Sequence, residues 1–157
     1  MSSDQESATL RTDVPNPKPT LHWSNRQRRH RLNLAFFRQK VERALERLPS
    51  DRIDRLPPSL EIVFIGASES SRLHLRFLGD PTPADVLAFP HGEIVVCPAV
   101  AAALCKGHNL SFQDELLTYL LHGILHLAGY RDSNRSGALS MRGIQCRLRR
   151  PPKKRGG

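Results

Sequence analysis

The chain has 157 residues, 39% of them hydrophobic, and carries 24 Lys and Arg against 15 Asp and Glu, a formal net charge of +9. That length suits one domain with its own core, and the positive balance favours a polyanionic partner. Cys97, Cys105 and Cys146 are odd in number and widely spaced, with no Cys-x-x-Cys pair, which argues against a disulfide scaffold and for reduced thiols in a cytosolic protein. No run of roughly 18 apolar residues occurs, so no membrane partner is expected. The N-terminal stretch, with early acids and no apolar centre, has the character of neither a signal peptide nor an anchor.

In chain order, residues 1–20 place Pro15, Pro17 and Pro19 among polar residues and read as a flexible leader. Arg26, Arg28, Arg29 and Arg31 then form a basic cluster, mirrored by Arg147, Arg149, Arg150, Lys153, Lys154 and Arg155 at the other end. These clusters are either solvated ends or phosphate contacts. Steep salt dependence of nucleic-acid binding would mark the second. From Leu32 to Leu48, apolar residues at Leu34, Phe37, Val41, Ala44, Leu45 and Leu48 follow helical spacing, with Pro49 after the end.

"SLEIVFIG" after Pro57 and Pro58 is dense in β-formers and predicts a strand closed by Gly66. Ser68 is placed to cap a helix reaching about Leu78. "DVLAF" and "EIVV" predict two brief strands close enough to pair. Pro98 suits the first turn of a helix ending near Gly107. Ser111 and Asp114 resemble a capping box for a helix over Phe112–Ala128. A last helix from about Ser133 to Arg149 would turn Leu139, Ile144 and Leu148 inward. Residues 21–149 thus form one domain followed by a basic tail at 150–157. Helices mixed with a few short strands imply an α/β or α+β layer fold.

The stretch "LLHGILHLAGYRD" carries the chemistry. His122 and His126 stand one helical turn apart on one face. Alone, that spacing fits two hydrogen-bonded core histidines as readily as a metal pair of the H-E-x-x-H kind. Gly129 adds a residue suited to a left-handed helix end, after which the chain can fold back and bring Asp132 to the histidines. His122, His126 and Asp132 would then form a three-ligand site with one open position, the arrangement of catalytic zinc. Gly123 stands where a zinc peptidase would carry its general base, which argues against peptidase chemistry.

This stretch resembles the signature of the YbeY family of metal-dependent endoribonucleases, H-G-x-L-H-L-x-G-Y-D-H. "PTPADVLAFP" is similar to the family's P-T-D-V-L-S-F-P block and "GEIVV" to its G-D-I-x-I strand. The resemblance spans about Leu60 to Gln145. It implies a small mixed sheet packed with helices, with a zincin-like metal-binding helix. It implies one zinc ion on His122, His126 and Asp132, the last in a position usually held by histidine. A carboxylate there also suits harder divalent ions.

By the same resemblance the activity is single-strand-directed RNA cleavage in ribosomal RNA processing, including small-subunit maturation and ribosome quality control, in the cytoplasm. The partners implied are precursor ribosomal RNA and small-subunit proteins or assembly factors. Glu93 matches the acid of the G-D-I strand and is the first candidate for an acid/base or supporting group. Leu78 replaces an arginine that many members carry, leaving Arg76 as the nearby candidate for a substrate contact. Ala84 and Ala88 replace hydroxyl residues. Thr82, Pro83 and Asp85 read as turn builders, and Met141 as core filling beneath the metal helix. The departures at Leu78, Ala84 and Ala88 keep open an alternative, an RNA-binding ribosome-assembly factor whose metal is mainly structural.

Overall fold

The computed structural model describes residues 17–150. Two central parallel strands, β2 (Ser59–Phe64) and β4 (Glu93–Val96), set the architecture, because alternate side chains leave each strand on opposite faces. β1 (Thr20–Asn25) pairs parallel with β2, and β3 (Val86–Ala88) antiparallel with β4, giving a mixed sheet of order β1-β2-β4-β3. Leu60, Ile62, Phe64, Ile94 and Val96 share the large core. Val63, Ile65 and Val95 face the other way, against Leu73, Leu87 and Phe89.

The helices follow from local signals. In α1 (Leu34–Arg47), Phe37, Val41, Ala44 and Leu45 are buried on one face, and the Asn33 side chain accepts from the Phe36 N–H. After the short α2 (Ser50–Ile53) and β2 comes α3 (Ala67–Leu78), which ends at Gly79 with φ +74°. Pro98 opens α4 (Pro98–Leu104). The Ser111 side chain accepts from the Asp114 N–H at 3.1 Å to start α5 (Phe112–Leu127). Asn134 does the same for Gly137 at 2.7 Å to start α6 (Arg135–Arg149).

Several expectations need correction. Ser68 does not cap α3, which starts from Gly66 without a side-chain cap. Leu139 is 57% exposed, and α6 turns Met141, Gln145 and Leu148 inward instead, with Ile144 half-buried. Thr20, assigned to the leader, already opens β1, a strand the sequence reading did not find. The rest of the leader through residue 16, and the tail beyond Arg150, lie outside the described residues.

The central element is α5, which packs against β3, β4, α1, α4 and α6. Leu116, Leu117, Leu120, Leu121, Ile124 and Leu125 along it are each at most 1% exposed. Burying each such side chain contributes roughly 1.5–3 kcal/mol, against about 1 kcal/mol for a typical hydrogen bond. Apolar packing therefore holds α5, and its polar residues are left for other work.

Gly123 lies at the closest approach of α5 to the sheet. A Cβ there would stand 2.9 Å from Ile94 Cγ2 and 3.1 Å from Val86 Cγ2. Both methyls belong to stiff β-branched residues on paired strands. Restoring the H-E-x-x-H pattern by Gly123→Glu should therefore destabilise the fold by about 3 kcal/mol or more, through overpacking and a buried carboxylate. Urea denaturation checks this, and a variant as stable as the parent would show that this face is not tightly packed.

Candidate metal centre

His122 and His126 leave α5 one turn apart, with side chains 31% and 35% exposed. That exposure rules out a pair sealed in the core. Their Nε2 atoms lie 2.9 Å apart. The chain returns to them through Gly129, whose φ is +90°. The Gly129 N–H donates to the His126 carbonyl and the Tyr130 N–H to the Leu125 carbonyl, both at 3.0 Å, the bond pair of a Schellman helix end. The Arg52 guanidinium sits 4.2 Å from the centre of the Tyr130 ring and braces the turn.

The result is convergence. Asp132 Oδ2 lies 3.4 Å from each histidine Nε2. Tetrahedral zinc with bonds of about 2.0–2.1 Å separates its ligand atoms by about 3.3 Å, which the two His–Asp separations match, while the histidine nitrogens, 2.9 Å apart, would move slightly outward to hold such an ion. The carboxylate also offsets the charge of a divalent cation. Behind His122, its Nδ1 lies 2.6 Å from the amide Nε2 of Gln145, a residue 7% exposed, and flipping the amide puts its oxygen at that place. Ligation through Nε2 requires the proton on Nδ1, which the amide oxygen of Gln145 accepts in the orientation where oxygen faces the ring. Burial, and then the neighbouring His126, push the His122 imidazole below its ordinary pKa, against the pull of Asp132 and Asp85. The neutral form is the one that binds metal.

Two of the three donors, His122 and Asp132, line a cleft of about 720 Å³ between α5 and α6. Asp85, Thr118, Gln145 and Arg149 are among its walls. At its far end the buried Glu115 carboxylate accepts from the Tyr119 hydroxyl at 3.0 Å and contacts His108 Nδ1. Burial first, and then that bond to Glu115, push the Tyr119 phenol well up, so it stays a donor.

The comparisons with known proteins agree with this geometry. Residues 22–150 match the family model described as Endoribonuclease YbeY. The chain belongs to the YbeY endoribonuclease family. The Endoribonuclease YbeY of Bdellovibrio bacteriovorus is 35% identical over 114 residues, covering 68% of this chain and 76% of that protein. That of Thermotoga maritima is 39% identical over 77 residues, covering 45% and 51%. The solution structure of TM1509 from Thermotoga maritima superposes with a TM-score of 0.54 at 27% identity, covering 83% of this chain and 87% of that one.

Within this YbeY chain the structure brings His122, His126 and Asp132 together and leaves Glu93 and Arg76 apart from them. Strand alternation puts Glu93 on the face of Val95, under α3, whereas Ile94 faces Gly123 and the metal helix. The nearest base to Glu93 is His91, at 4.0 Å. Arg76 is exposed on α3 and leans over Phe77 at 5.6 Å. Leu78, beside it, is 68% exposed.

Asp80 accepts from both the backbone N–H and hydroxyl of Thr82, which hold its carboxyl below the usual range and make the turn. Ala84 has no hydroxyl, but the Ser70 hydroxyl donates to its carbonyl and accepts from its N–H. Met141 is buried, as core filling requires.

Gln145 and the Glu115 cluster were not found from sequence, and Arg149 was found only as one of the C-terminal basic residues. Gln145 carried a usable signal, a polar residue in line with Met141 and Leu148 on the buried stripe of α6. Glu115 carried another, an acid on an otherwise apolar helix, two turns before His122.

Two outcomes follow. Gln145→Leu keeps the fold but weakens zinc binding about 10–100-fold by competition titration, because Nδ1–H loses its acceptor. Unchanged affinity would show that the amide does not orient the ring. In metal-free protein the His122 imidazole titrates by NMR below about pH 6.5. Because the folded state resists the charge, stability is full above that value and falls as acid protonates the unfolded chain first. A midpoint at or above 6.5 contradicts this.

Proposed function

We propose that this chain is a zinc-dependent endoribonuclease acting on single-stranded segments of precursor ribosomal RNA, in small-subunit maturation and ribosome quality control. The observation that carries the reading is the convergence of His122, His126 and Asp132 on one point at the wall of an open, partly basic cleft. The family name Endoribonuclease YbeY supplies the reaction class. Small-subunit proteins or assembly factors are the partners that would deliver the substrate. Three free cysteines suit the reducing cytoplasm, and no helix among the described residues is long and apolar enough to cross a membrane.

In this reading His122, His126 and Asp132 hold the ion. A bound divalent cation stabilises charge developing on the phosphoryl oxygens and lowers the pKa of water. The chain's own residues do the rest. Gln145 fixes the His122 tautomer, and Asp132 keeps the cation's excess charge low. Gly123 offers no base, so proton removal from the nucleophile falls to groups lining the cleft, of which Asp85 is an exposed carboxylate. Either water or the substrate's 2′-hydroxyl can attack, and a 2′,3′-cyclic phosphate product identifies the second.

The test is elemental analysis of purified protein with cleavage of ribosomal RNA by the parent, His126→Ala and Asp132→Ala. Apolar packing of α5 keeps both variants folded. One equivalent of zinc, with cleavage reduced by at least 10³-fold in each variant, is the expected result. Cleavage surviving both changes in metal-free, folded protein overturns the reading. Loss of folding and RNA binding together in His126→Ala, with no cleavage by the parent, favours the assembly-factor alternative.

A further inference from the structure

The cleft contains a cation that the metal chemistry does not use. Arg149 is half-buried in the wall formed by α6, and its guanidinium reaches across to α5, donating to the Thr118 hydroxyl at 3.0 Å. A weaker contact runs to Cys146 Sγ at 3.9 Å. No carboxylate among the described residues pairs with it. Of its five N–H donors, two are engaged and three have no partner among the described residues. A half-buried cation facing an open cleft without a counter-ion is poised for an anionic ligand.

Its position relative to the metal donors is set by helix register. α5 and α6 run alongside one another so that Gln145 meets His122 while Arg149 meets Thr118. Both pairs of positions are separated by one turn, about 6 Å along each axis. That is comparable with the spacing of successive phosphates in an extended single strand. The acids nearby do not cancel the charge. Glu115 is committed to His108 and Tyr119, and Asp132 belongs to the metal donors. Asp85 alone then opposes Arg149 and Arg142, both of which line the cleft.

We propose that Arg149, oriented by Thr118, binds the substrate phosphate adjacent to the one at the metal donors, forming a second subsite for single-stranded RNA. The proposal rests on the endoribonuclease reading above. A tie between two helices alone would not require an unpaired cation in the cleft, since Thr118 is satisfied by its own bond to the Asp114 carbonyl at 2.8 Å. A contact to a phosphate that does not itself react adds binding that is equal in ground and transition states, so its loss raises KM and leaves kcat.

The experiment uses the full chain with zinc bound and a short single-stranded oligoribonucleotide with one mapped cleavage site. Each phosphate flanking that site is replaced in turn by an uncharged methylphosphonate on a 2′-deoxy sugar. With the parent, one replacement next to the scissile phosphate should raise KM about tenfold. Arg149→Met should raise KM on the unmodified strand about tenfold, leave kcat and zinc content unchanged, and lose sensitivity to that one replacement. The log–log salt slope of KM should fall by about 0.7, one single-strand contact.

Thr118→Val, which frees the guanidinium without removing it, should give a few-fold rise in KM and carries the test if Arg149→Met lowers the thermal midpoint. An unchanged phosphonate profile in both variants, or a fall in kcat or zinc content at constant KM, overturns the proposal. A parent that cleaves no RNA overturns the endoribonuclease reading itself, a separate outcome from a parent that cleaves and is indifferent to Arg149.

Discussion

The contact between Gly123 and the methyl groups of Ile94 and Val86 governs everything else in the site. With no side chain at this position, α5 lies close against β3 and β4, and its rotation about its own axis is fixed. Because neighbouring helical residues are about 100° apart, fixing Gly123 on the sheet sets His122 and His126 on the flanks of that contact, where both are part-exposed. A larger residue would lift the helix and rotate both imidazoles. The glycine that is unfavourable for helix propensity is thus favourable for placing the metal donors, and the apolar burial along α5 outweighs the roughly 1 kcal/mol lost.

The second half of the site depends on a turn rather than a helix. Gly129 reverses the chain in a left-handed conformation, and a Cβ there would also lie 2.5 Å from Arg55 Nη1. The backbone conformation is the constraint that requires glycine, since the arginine side chain is free to move aside. The reversal delivers Asp132 to the histidines, while α6, starting from its Asn134 cap, runs back along α5 to bring Gln145 behind His122. One helix, one turn and one returning helix supply the donors and the Gln145 amide behind them, and Asp85, just before β3, adds a carboxylate to the cleft wall. No strand contributes a ligand.

This explains which parts were legible in the sequence. His122, His126, Gly129 and Asp132 lie within one short segment, where helix periodicity and glycine chemistry convert spacing into geometry without knowledge of the fold. Gln145 and Arg149 depend on the register between α5 and α6, a tertiary fact that no local pattern encodes. The face of β4 that Glu93 occupies was not legible for a different reason. β4 is covered on both faces, so "EIVV" reads as a continuous apolar run and gives no parity with which to assign a side. β1 escaped because "TLHWSN" is a half-exposed edge strand with few β-formers. Leu139 was placed inward because α6 carries apolar residues on more than one face, and only the packed helix selects Met141 and Leu148.

The position after His122 also bears on chemistry. In an H-E-x-x-H helix the residue after the first histidine must project beside the metal to act as a base. In this chain a Cβ at the same position would stand 2.9 Å from Ile94 Cγ2, so the packing of the helix on the sheet leaves no room for a side chain there. A general base must then come from elsewhere in the cleft or from the substrate. RNA is a substrate that carries its own nucleophile, the 2′-hydroxyl, next to the scissile phosphate, whereas a peptide carries none. A site that provides a cation-binding donor set, a basic wall and no helix-borne base is therefore better matched to phosphodiester cleavage than to peptide hydrolysis, and Gly123 is where sequence, packing and reaction class meet.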